Sequence, residues 1–149
     1  MSDSTSAGSS SPITELGAGV TFQWLHDGKI IAITSENSSR VAIDAWADKL
    51  IEVIHSWPVD QSMLVLADIS RGKNAQTPYL RARSQELMEV RPEVTLVTAM
   101  VMPHSILAQL MQIALRTSHG SNVKMQLFFD RERALRWLME YVPTGNTSA

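Results

Sequence analysis

Residues 62–90 read SMLVLADISRGKNAQTPYLRARSQELMEV. From Met63 to Ile69 the run is almost wholly apolar, as in a strand buried on both faces of a parallel sheet. It breaks at Ser70, Arg71, Gly72 and Lys73 into a polar turn. Thr77 and Pro78 then open a helix, since Thr accepts a free helix N–H as an N-cap and Pro fits the first helical position. Leu80, Ser84 and Leu87 mark its inward side. A buried strand that feeds a helix is half of a βαβ unit, and this decides the class as α/β.

The same punctuation extends outward. Upstream, VTFQWL alternates, with Val20, Phe22 and Trp24 on one face. His26–Lys29 is a hairpin turn, and KIIAIT is the returning strand. RVAIDAWADKLIEVIHSW sets Ile43, Trp46, Leu50, Ile54 and Trp57 on one helical stripe, and Pro58 ends it. Downstream, VTLVTAMVM is a second buried strand, HSILAQLMQIALRTS a helix, KMQLFF a short strand and RERALRWLMEYV the last helix. The predicted order is β-β-α-β-α-β-α-β-α, a mixed central sheet of about five strands with helices packed on it.

The chain has 149 residues, enough for one domain, here residues 18–142. Residues 1–17 are rich in Ser, Thr, Gly and Ala, and with residues 143–149 they read as flexible tails that bury too little to offset ordering. With no Cys, disulfides and thiolate chemistry are excluded. The net charge of −2, without a long basic block, disfavours a nucleic-acid surface. The N-terminus lacks a signal-peptide pattern and no apolar run is long enough to span a bilayer, so the expected location is cytoplasmic.

The element order, the hairpin start and Asp68-x-Ser70 at the end of the third predicted strand resemble the STAS domains, the sulfate-transporter and anti-sigma-factor-antagonist family. The ending Phe129-Asp130-Arg131-Glu132-Arg133-Ala134-Leu135-Arg136-Trp137-Leu138 is similar to that of SpoIIAA-like proteins sharing the STAS/SEC14-type fold. The resemblance covers about residues 19 to 142. It implies a non-enzymatic, regulatory, protein-interaction domain with no cofactor, whose partner is a kinase or anti-sigma-like regulator. In that family a Ser opening the next helix is phosphorylated by the partner, and Thr77 falls on that position. Gln76 stands where the family pattern has Asp, Arg71 where it often has Gly, and Tyr79 where the helix-entry Gly would stand.

Thr77 is thus either a helix cap alone or a cap that is also a phosphorylation switch. The candidate partner-binding set is Asp68, Ser70, Arg71, Lys73, Gln76, Thr77, Tyr79 and Arg81. Arg71, Lys73, Arg81, Arg83 and Arg91 form either a solvated surface or a small anion-binding patch beside the helix start. The alternative function is binding of a lipid or small hydrophobe along Met102, His104, Leu107 and Met111, an analogy with SEC14-like relatives. A weaker alternative is an enzyme using His104 and Ser105. The His residues show no paired spacing, so no metal site is expected. Trp137 and Tyr141 share a helical face, a homodimer contact if the core leaves it free.

Overall fold

A computed structural model describes residues 9–72, 77–103 and 123–142. Its elements are β1 (Thr14–Gly17), β2 (Val20–Leu25), β3 (Ile30–Ser35), α1 (Arg40–Ser56), β4 (Met63–Asp68), α2 (Pro78–Glu89), β5 (Leu96–Val101), β6 (Val123–Phe128) and α3 (Arg131–Met139). The six described strands lie in one sheet in chain order. β1, β2 and β3 pair antiparallel, and β3 to β6 pair parallel. The mixed α/β class read from the sequence therefore stands, while the strand count rises from about five to six.

The added strand is β1, which falls in the stretch read as a tail. Its side chains are exposed except Leu16, which is half-buried. Composition misses such a strand because an edge strand needs backbone partners more than apolar side chains. Those partners start before β1: Ser11 N–H donates to the Trp24 carbonyl, and Ser11 Oγ accepts from Trp24 N–H, each at 2.9 Å. Ser9 N–H and Oγ both donate to Asp27 Oδ1 in the β2–β3 turn. That turn places His26, Asp27 and Gly28 all at positive φ, as the hairpin signal requires.

Strand alternation divides the interior into two cores. Ile31, Ile33, Met63 and Val65 face α1, together with its Ala42, Leu50, Val53 and Ile54. Ile30, Ala32, Leu64 and Leu66 face α3, with its Ala134 and Leu138. Of the expected α1 stripe, Ile43, Leu50 and Ile54 are buried, while Trp46 and Trp57 are half-buried and pack against the first core. Trp57 stacks on Trp24, with ring centroids 6.2 Å apart. α2 differs from its sequence reading: none of its residues is buried, and Leu87 and Met88 only touch the first core from a half-exposed position. Trp137 and Tyr141 do share a face, but they contact each other at 5.1 Å and pack on the second core. The second core takes up part of that face and leaves both rings half-buried. The helix read over residues 104–118 lies outside the described residues.

Among the described residues, no helix is long and apolar enough to cross a membrane.

Candidate functional site

The parallel strands end together, and Asp68 closes β4 between Thr34 of β3 and Val101 of β5. Ile69 N–H continues the ladder to the Val101 carbonyl at 2.9 Å. Asp68 is 5 % exposed. A carboxylate so placed must be satisfied by donors. Its Oδ1 accepts Ser70 N–H at 3.0 Å and Ser70 Oγ–H at 2.6 Å. Its Oδ2 accepts Arg131 Nη1 at 3.1 Å. Burial alone would push the Asp68 carboxyl up, but the Ser70 hydroxyl, the Ser70 amide and then Arg131 outweigh it and hold it below its ordinary value. The Asp-x-Ser pattern is therefore a closed hydrogen-bonded turn, tied to the first residue of α3. Arg131 is fixed at that end because Asp130 caps α3, accepting Glu132 N–H at 2.9 Å.

After Ser70 the chain turns at Gly72, whose φ is +68°. A Cβ on Gly72 would stand 2.9 Å from the Glu36 carbonyl carbon and closer still to its oxygen. Only glycine fits both the left-handed conformation and this approach to the β3–α1 loop. Lys73 and Gln76 lie outside the described residues. Arg71 is exposed.

Thr77 has φ −120° and ψ 159°, and its Oγ1 accepts Leu80 N–H at 3.1 Å. Pro78 occupies the first turn. This is the capping geometry expected from Thr-Pro. Two residues on, Tyr79 donates its hydroxyl to Asp44 Oδ1 on α1, and this bond raises the phenol's pKa. The Arg40 guanidinium lies 4.3 Å from the Tyr79 ring centroid. One turn further, Arg83 Nη2 donates to Asp48 Oδ1 at 2.5 Å and Arg83 Nη1 lies 3.5 Å from Glu86. Arg83 Nε is buried without a hydrogen bond, 3.9 Å from Asp44. Arg81 is exposed.

The geometry unites part of the sequence-derived set. Asp68 and Ser70 form one cluster, and Thr77, Tyr79 and Arg81 line the start of α2. Arg91 leaves the proposed basic patch: its Nη1 donates to the carbonyls of Ile54, His55 and Trp57 and so caps the C-terminus of α1. Met102 is buried, and its N–H donates to the Phe128 carbonyl at 2.8 Å. His104, Ser105, Leu107 and Met111 lie outside the described residues. The reading of residues 62–90 in isolation missed Arg40, Asp44 and Arg131. A signal for two contacts was present: Asp44 and Asp48 are four apart, as are Tyr79 and Arg83, so each pair lines one helical face. Nothing in the sequence pointed to Arg131 as the partner of Asp68.

Among the described residues, no group of three His, Asp or Glu side chains is placed to hold a metal ion. Comparison with family models, with curated proteins and with solved structures finds no match.

Proposed function

We propose that this chain is a STAS-like regulatory domain that acts by binding a protein partner rather than by catalysis. Its working surface is the rim from Asp68 to Arg81, and a charge added at Thr77 shifts the affinity for that partner. One observation carries the reading: the Thr77 oxygen sits at the N-terminus of α2, whose first turn holds no acidic residue. A phosphate there would meet the positive end of the helix dipole. Arg81 is exposed nearby, and Arg40 reaches the same end across Tyr79. Asp68 supports the same reading from below, because its three hydrogen bonds fix the start of the loop rather than leave a carboxylate available for acid–base work.

The experiment is phosphosite mapping after incubation of the whole protein with native-host extract and ATP. It is paired with quantitative comparison of proteins co-purifying with wild type, Thr77→Glu and Thr77→Ala. Phosphate on Thr77, together with a partner gained or lost in Thr77→Glu alone, is the expected result. Circular dichroism should show all three proteins equally folded. An unphosphorylated Thr77 and identical partners for all three proteins would sink the reading.

A further inference from the structure

α2 is held differently at its two ends. At the C-terminal end, Leu87, Met88 and Val90 touch the first core. Just beyond, Arg91 makes three hydrogen bonds to the last carbonyls of α1. At the N-terminal end the contacts to α1 are polar and partly solvated. They comprise Tyr79 to Asp44, Arg83 to Asp48, and Arg40 over the Tyr79 ring. The Asp48 side chain is 72 % exposed, so salt screens its share of the hold. No residue of the helix is buried. Apolar burial is the main resistance to local opening, and it is concentrated at one end.

We propose that α2 is a hinged flap: it pivots at its Arg91 end, and its N-terminal half lifts from α1 when the Tyr79–Asp44 and Arg83–Asp48 contacts break. Once lifted, the first turns of α2 lose the neighbour that orders them and their backbone bonds open, while residues 86–89 and the sheet beneath keep theirs. The open form uncovers the flank of α1 that carries Asp44 and Asp48. This inference concerns the helix itself and holds with or without the partner proposed above.

Amide hydrogen exchange on the whole protein tests it. Wild type is compared with Asp44→Ala/Asp48→Ala and with Arg83→Met, at low salt and at high salt. Helix ends fray in any protein, so the decisive comparison is the first variant, whose substitutions lie on α1 and reach α2 only across the seam. The expected result is exchange at residues 81–85 faster by about tenfold in that variant, with little change at residues 86–89 or in β4. High salt should move the wild type in the same direction. Exchange at residues 81–85 that is indifferent to the α1 substitutions would overturn the proposal. So would a rise shared equally by α1, α2 and β4, since that reports global unfolding. Unchanged exchange at residues 81–85 in high salt would count against it equally, since the Tyr79–Asp44 and Arg83–Asp48 contacts would then be holding without regard to screening.

Discussion

The turn around Asp68 and the seam between α1 and α2 are neighbouring polar regions built on opposite terms. In the turn, one carboxylate is withdrawn from water and receives three donors. In the seam, carboxylates on α1 meet Tyr79 and Arg83 while staying partly hydrated. Withdrawal makes each lost bond costly, because water cannot replace it. Hydration makes each lost bond cheap, because water can. Two polar clusters at one end of a sheet can thus serve as a fixed base and a movable cover.

The contrast can be broken first at Gly72. Gly72→Ala must accept both a left-handed backbone and a collision with the Glu36 carbonyl. We expect a loss of about 2 to 4 kcal/mol, read from urea unfolding. A loss under about 0.5 kcal/mol would mean that the two loops part freely, and the turn would then be no firmer than the seam.

Asp68→Asn tests the withdrawn carboxylate more directly. Losing the charge-assisted bond to Arg131 should cost about 2 kcal/mol at neutral pH. The sign with pH follows from the lowered folded-state pKa of Asp68. The unfolded chain takes up the proton first on acidification, so wild-type stability from this group falls as pH drops toward and through the folded value. The gap between wild type and Asp68→Asn should therefore be widest at neutral pH and close in acid. A constant gap across that range would show that the carboxylate's charge is not what holds the turn.

The smallest expected effect is at the cap. Thr77→Ala removes the acceptor for Leu80 N–H and should cost about 1 kcal/mol by thermal or urea unfolding. Thr77→Ser should restore most of it. If Ser and Ala behave alike, the hydroxyl contributes nothing to the closed position of α2.

The sequence disclosed the buried strand, the turn and the Thr-Pro helix start because each rests on local chemistry. Alternation, a cap residue and a proline act within a few positions. It disclosed the α1 stripe for the same reason, though Trp46 and Trp57 end up half-buried. It did not disclose the tie from Asp68 to Arg131, since 63 residues separate partners brought together by β5, β6 and the cap of α3. Arg91 was misread for a related reason. A surface Arg and an Arg serving carbonyls of a distant helix end look alike in sequence, and only packing tells them apart. The α2 face misled in the opposite way: Leu80 and Ser84 sit at inward spacing, yet the helix leans on α1 and buries neither.

The first strand carries one practical consequence. A chain shortened to begin at residue 18, the boundary that composition suggests, would lose β1 and the Ser9 and Ser11 fastenings with it. β2 would then be the outermost strand, its ladder groups unpaired beside the apolar Phe22 and Trp24. An unprotected edge of that kind recruits other chains. With residues 9–17 in place the short, polar and irregular β1 is the edge instead, so self-association of the shortened chain, read by size-exclusion chromatography, is the expected cost of cutting at residue 18.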